Sequence, residues 1–182
     1  EQGSVGMITR LDCPVGGIMI FGKTEEATAF LTRLLTDGRI TKEYLAVSGG
    51  VFTEKSGKMT DLLIHEKSRG ITRTAVRGET GAKYAELEYG VISEYETDYG
   101  MSSLLRIKLI TGRTHQIRAQ LASRGAPIIG DGRYGSKDGG AKLALYSFRV
   151  TIPLRDGEIT LTSLPDAEYP FREEDLVGPA LK

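Results

Sequence analysis

Apolar and polar positions alternate along the 182-residue chain in a way that predicts many short strands and two helices. The run Gly17-Ile-Met-Ile-Phe-Gly22 is apolar and bounded by glycine, the pattern of a buried strand. Residues 24–35 then open on an N-cap type, Thr24, with Glu25 and Glu26 in the first turn. Ala27, Phe30, Leu31, Leu34 and Leu35 recur at helical spacing and Gly38 supplies the stop, so a helix is expected. Residues 42–48 read as a strand, with Tyr44, Ala46 and Ser48 on the face opposite Leu45 and Val47. Period-two alternation over 71–76, 83–89 and 103–110, separated by glycine-bearing turns, predicts a meander. A second helix is expected over 114–124, capped by Thr114, buried along Ile117 and Leu121, and stopped by Gly125. Residues 144–152 and 158–162 read as a final strand pair joined through Pro153, Asp156 and Gly157. Together these elements predict an α+β fold, a mostly antiparallel mixed sheet with two main helices.

Composition narrows the class. Hydrophobic residues at 40% and charged residues at 26% are near globular averages, which removes disordered, collagen-like and coiled-coil classes. No apolar run approaches the roughly 20 residues of a membrane span. The first residues lack the layout of a signal peptide, and the missing initiator Met places the expected start upstream. Cys13 is the single cysteine, so an internal disulfide is excluded and a reducing, cytosolic compartment is expected. Cys13 with His65 and His115 alone is a poor zinc set, and no metal or cofactor is expected.

The net charge of zero hides an asymmetry. Residues 101–155 hold ten Lys or Arg against Asp131 and Asp138, whereas residues 156–182 carry seven acids against Arg172 and Lys182. A local basic field of this kind attracts phosphates even in a neutral protein.

Some motifs lead nowhere. Gly130-Asp-Gly-Arg-Tyr-Gly135 matches the dinucleotide pattern G-x-G-x-x-G. The strand before it is too short, and Ser136-Lys-Asp-Gly-Gly cannot open a helix, so a glycine-rich turn is expected. Gly57-Lys58 lacks the remainder of a phosphate loop, and no G-x-S-x-G elbow is present. His65 reads as a strand-end or surface residue. Glu86, Glu88, Glu94, Glu96 and Asp98 read as a solvated sheet edge, where acids oppose strand-to-strand aggregation.

Two stretches hold more polar chemistry than packing requires. In Arg10-Leu11-Asp12-Cys13-Pro14-Val15-Gly16-Gly17, Pro14 favours extended geometry at Cys13 and the glycines permit a sharp turn, so Asp12 stands at the entry to a tight loop. Taken alone, it could be an Asx-turn residue. In Thr111-Gly-Arg-Thr-His-Gln-Ile-Arg118, three basic side chains crowd a helix N-terminus, which favours anions; a basic surface helix is the plainer alternative.

Together these stretches resemble the RluA-type pseudouridine synthases. Arg10-Leu11-Asp12 followed by Gly17-Ile-Met-Ile-Phe-Gly-Lys-Thr is similar to the family's signature around its nucleophilic aspartate, and Lys42-Glu-Tyr44-Leu-Ala to its K-x-Y-x-A segment. Residues 111–118 with Gly125-Ala-Pro-Ile-Ile-Gly-Asp-Gly-Arg-Tyr-Gly135 resemble its third motif. The resemblance runs from about Gly6 to Pro170, with Thr9 where the family often has His and Val15-Gly16-Gly17 for its usual T-S-G.

The resemblance implies one pseudouridine synthase catalytic domain over 1–182, without the family's leading strands and without an S4-type domain. It implies an isomerase that breaks the N1–C1′ bond of a uridine in structured RNA, ribosomal or transfer, and rejoins the uracil through C5. Asp12 is the implied nucleophile or base, Arg118 its ion-pair partner, and Tyr44 the ring that stacks on uracil. Arg10, Arg113, His115, Gln116, Arg133 and Lys137 are the implied substrate contacts, and Ile110 part of the far wall. The expected partner is an RNA stem-loop, and a monomer is expected. A non-catalytic RNA-binding or RNA-folding module derived from a synthase is the competing class; it accounts for the basic segment but not for Asp12.

Overall fold

The computed structural model describes residues 5–137, 141–177 and 181; residues 1–4 and the 138–140 part of the glycine-rich turn lie outside them. In chain order the elements are β1 Gly6–Met7, β2 Gly16–Gly17, β3 Phe21–Gly22, α1 Glu25–Thr36, β4 Thr41–Gly49, β5 Ser56–Glu66 and β6 Ile71–Ala75. They continue with β7 Lys83–Thr97, β8 Gly100–Leu109, α2 Gln116–Ala122, β9 Leu145–Leu154, β10 Gly157–Thr162 and α3 Glu173–Leu176. The main sheet runs β10-β9-β4-β8-β7-β5-β6, and β2 pairs with β9 beside this path. All pairs are antiparallel except β2 with β9, so the sheet is mixed and mostly antiparallel, as the alternation predicts.

At the centre, β4 lies between β8 and β9, and Tyr44 through Ser48 are buried on both faces. Alternation sends Lys42, Tyr44 and Ala46 to one face and Glu43, Leu45 and Val47 to the other. The first face meets α2: Gln120 donates to the Met59 carbonyl at 3.1 Å and to Asp61 at 2.7 Å. Glu43, on the second face, takes bonds of 3.0 and 2.9 Å from Arg106. There Arg149 also donates to the Leu181 carbonyl, and Leu176 and Leu181 join the core.

Helix α1 forms as its signals predict. The Thr24 hydroxyl accepts from Ala27 N–H at 3.1 Å, and Gly38 ends the element at φ 68°. Its stripe is narrower than the periodicity suggests: Leu34 is buried, whereas Phe30 is exposed. Leu34 packs with Ile20, Ile40, Val150 and Ile152 in a small core at the end of the sheet.

Four expectations change in three dimensions. Residues 17–22 are not one buried strand. Gly17, at φ 118°, lies so close to the Ser147 backbone that a side chain would collide, and Ile18 N–H donates to the Ser147 carbonyl at 2.9 Å. Two residues later, Ile20 N–H donates to the Thr9 hydroxyl at 2.9 Å, so the chain changes partner midway and Met19 and Phe21 face outward.

Thr114 does not cap α2. His115 takes the N-cap place in the left-handed region, at φ 51° and ψ 26°, and separates Thr114 from the helix. Residues 116–121 of α2 are all buried, so it is an inserted helix and not a basic surface one.

The acidic run is an edge only in part: Glu86 and Glu88 lie on the stretch of β7 that pairs with β5, whereas Glu94 and Glu96 lie on residues 91–97, which pair with β8 alone. Three of its acids meet lysines: Glu88 and Glu86 face Lys58 of β5 at 3.0 and 3.4 Å, and Glu94 faces Lys55, just before β5, at 2.7 Å.

The basic segment is likewise largely matched by acids from elsewhere in the chain. Arg106 and Arg149 reach Glu43, Arg124 reaches Asp61 at 2.8 Å, and Lys142 reaches Glu168 at 2.9 Å.

Candidate active site

A cavity of about 380 Å³ opens where the N-terminal loop crosses the start of β4 and the start of α2. Asp12, Tyr44 and Arg118 line it, with Arg10, Arg113, His115 and Gln116. Seven of the nine side chains expected from the sequence are thus brought together. Arg133 and Lys137 are exposed and stand outside the cavity; Arg133 donates to the Gly70 carbonyl at 3.3 Å. Ile110 is also exposed, and Leu109, facing the other way along β8, supplies the wall in its place.

Asp12 is presented by a turn. Its carbonyl accepts from Val15 N–H at 2.8 Å, closing Cys13-Pro14 into a tight bend, while Leu11 packs against the core. The carboxylate therefore reaches the cavity from a braced backbone.

Arg118 comes from α2 and is buried. Its Nε and Nη2 donate to the two oxygens of Asp131 at 2.7 Å each, and Nη1 donates to Asp12 Oδ2 at 3.2 Å. Its guanidinium also lies over the Tyr134 ring, 4.9 Å from the centroid. Burial opposes the charge on Arg118, but hydrogen bonding and Coulombic attraction from Asp131, then Asp12, carry its pKa above the ordinary value.

His115 closes the other side of Asp12. Its Nε2 is 3.5 Å from Asp12 Oδ2, and its Nδ1 is 3.0 Å from the Tyr134 hydroxyl. That hydroxyl already accepts from Thr72 N–H at 2.7 Å, so its own proton is free for Nδ1. This network assigns the neutral tautomer with Nε2–H facing Asp12. Burial lowers the His115 pKa; Asp12 opposes the shift, and Arg118 and His65 reinforce it.

Tyr44 stands on the buried face of β4. Burial pushes its phenol up, Ser147 partly opposes this, and the Asp12 charge adds to it, so the ring enters the cavity as a neutral phenol.

Gln116 lines the cavity but braces the loop as well. Its carbonyl accepts from the Thr111 hydroxyl at 2.8 Å and from Arg113 N–H at 3.0 Å, and its amide donates to the Glu86 carbonyl at 3.0 Å.

Asp131, Tyr134, Thr72 and Lys42 are site residues to which the sequence pattern assigns no role, although Lys42 opens the K-x-Y-x-A segment. Asp131 and Tyr134 were within the glycine-rich stretch, where the resemblance to the third motif was the available signal. Among the described residues, no group of three His, Cys, Asp or Glu could hold a metal ion, and no helix is long and apolar enough to cross a membrane.

An antiparallel-centred sheet that carries an aspartate on a tight loop, clamped by a buried arginine beside a tyrosine, defines a class of site. The family model of RNA pseudouridylate synthases matches residues 1–123, and the chain belongs to that family. It is 35% identical over 176 residues to ribosomal large subunit pseudouridine synthase D of Vibrio cholerae, covering 97% of this chain and 52% of the relative. The protein of the same name from Haemophilus ducreyi is 29% identical over 174 residues, covering 96% and 51%. The chain thus spans about half the length of these curated relatives. The solved structure of human RNA pseudouridylate synthase domain containing 1 shares the fold, with a TM-score of 0.79 at 23% identity over 94% of this chain and 73% of that one.

Proposed function

We propose that this chain is the catalytic domain of an RNA pseudouridine synthase that isomerises uridine in structured RNA, and that ribosomal RNA is its substrate. The single observation that carries the reading is Asp12, held at the cavity by Arg118 with Tyr44 on the same wall. The ribosomal substrate is supported by the names of the relatives.

In this reading the target uridine leaves its stack, at a cost of a few kcal/mol, and its uracil lies against Tyr44. One Asp12 oxygen bonds to C1′ while the N1–C1′ bond breaks and its electron pair passes to the uracil. Taking the C2′ proton is the alternative role for the same carboxylate. The freed uracil turns, C5 bonds to C1′ with departure of Asp12, and the C5 proton is then lost as N1 gains one. Tyr44, a neutral phenol, is positioned to relay that proton. Arg118 aims the carboxylate by a charge-assisted bond, and its own position is held by Asp131.

The atoms balance without water, a redox carrier or a metal, and the proposal includes a cytosolic monomer. Arg10 and Arg113 line the cavity and are exposed, which supports an anionic partner there.

Tritium release from RNA labelled at uracil C5 tests the assignment. The unaltered protein should release tritium, and Asp12→Asn should reduce release by about 10⁴-fold or more while leaving RNA binding intact. Release at full rate by Asp12→Asn would remove Asp12 from the chemistry. RNA binding without any release by the unaltered chain would favour the non-catalytic module.

A further inference from the structure

The cavity holds one cation that the chemistry above does not use. Lys42 projects from β4 on the same face as Tyr44 and lines the cavity between Leu35, Leu109 and Gly112. Among the described residues it has no ion pair and its ammonium makes no hydrogen bond. Arg118, Arg106, Arg124 and Arg149, by contrast, each meet a carboxylate. Burial alone lowers its pKa, with no neighbouring charge to offset it. A half-buried ammonium without a partner costs the folded protein stability, and proteins keep such a group where a ligand completes it.

From this placement we infer that Lys42 is a phosphate-binding residue, which takes the backbone phosphate of the same nucleotide whose uracil lies on Tyr44. The inference rests on the synthase reading and deepens it. Residues two apart on a strand stand roughly 6.6 Å apart along one face, similar to the separation of a pyrimidine ring from the phosphate of its own nucleotide. A full negative charge suits a desolvated cation better than a neutral base carbonyl does. Arg113 and Arg10 line the same cavity and lie open to solvent, so an entering phosphate meets positive charge on its way to Lys42. Glu43, the adjacent acid, is turned to the opposite face and held by Arg106 and Arg149, so it does not compete. Gly112 backs the ammonium: a Cβ at that position would stand 3.1 Å from Lys42 Nζ.

The experiment measures binding of uridine, uridine 5′-monophosphate and uridine 3′-monophosphate to the full chain at low salt by calorimetry. One of the two monophosphates should bind about tenfold tighter than uridine, the gain of one charge-assisted contact. Lys42→Met should abolish that gain, leave uridine affinity unchanged, and raise the melting temperature, because an unpartnered charge has gone. Gly112→Ala should reduce the gain in part by crowding the ammonium, with the lysine itself intact. Equal affinity for all three compounds, or a gain that survives in Lys42→Met, would overturn the inference and leave the uridine pocket standing. An equal, Lys42-dependent gain for cytidine monophosphates would keep the phosphate site but count against the uridine reading. Absence of binding by all of them would overturn both.

Discussion

Asp131 takes two arms of the Arg118 guanidinium at 2.7 Å each, and Asp12 receives the remaining arm at 3.2 Å. The Arg118 and Asp131 side chains are 5% and 1% exposed, so their ion pair is the buried, structural one, and the link to Asp12 is its open end. Arg118 is thus fixed before any substrate arrives, and Asp12 is aimed by a group that cannot itself relax.

This relationship predicts the effect of breaking the pair from either side. Asp131→Ala leaves a buried guanidinium with one partner and should destabilise the protein by about 3–5 kcal/mol. Arg118→Met should do the same by orphaning Asp131. The double variant Arg118→Met with Asp131→Asn should recover part of that loss, because no charge is left buried, yet remain inactive. Urea denaturation measures the first result and tritium release the second. A double variant less stable than both singles would show that the pair does not act as a unit.

Acid should weaken the fold through His115. Its pKa in the folded protein lies below the ordinary 6.5, chiefly through burial, so the unfolded chain binds the proton more readily. Stability is therefore fully present above about 6.5 and is lost as pH falls through the lowered folded value. His115→Asn suits the left-handed backbone at this position and should flatten that part of the stability-against-pH curve. Denaturation midpoints between pH 7.5 and 5 would reveal it, and an unchanged slope would exclude His115 as its source.

Salt dependence should discriminate among the arginines. Arg113 and Arg133 have no carboxylate within ion-pair distance among the described residues, so each phosphate contact they make adds about 0.7–0.9 to the slope of log affinity against log salt. Arg133→Ala with Lys137→Ala should flatten the slope by roughly one to two units. Arg124 is already paired with Asp61, and Arg124→Ala should change the slope little. Equal effects at all these positions would mean that the internal ion pairs open on RNA binding.

The glycine at position 17 offers a stability test of the loop that carries Asp12. Gly17→Ala must place a methyl group against the Ser147 backbone at φ 118°, which an L side chain rarely adopts. Loss of both stability and tritium release is expected, because β2 anchors the segment that follows the Asp12 turn to β9. Wild-type melting behaviour in this variant would show that the anchor is dispensable.

The sequence by itself determined what depends on neighbours in the chain. Thr24 and Gly38 mark the ends of α1 because capping acts within a few residues, and alternation marks β9 and β10 because side chains on a strand take opposite faces every residue. The identities of Asp12, Tyr44 and Arg118 were legible from motif resemblance. Tertiary structure alone decided the partners. Asp12 and Arg118 are 106 positions apart, and Glu86 and Glu88 meet Lys58 because β5 pairs with the first half of β7, which no local pattern encodes. The same holds for Asp131: in the sequence it is one polar residue in a glycine-rich turn, and only burial beside Arg118 makes its charge indispensable. Lys42 is the converse case, a residue distinguished by having no ionic partner among the described residues.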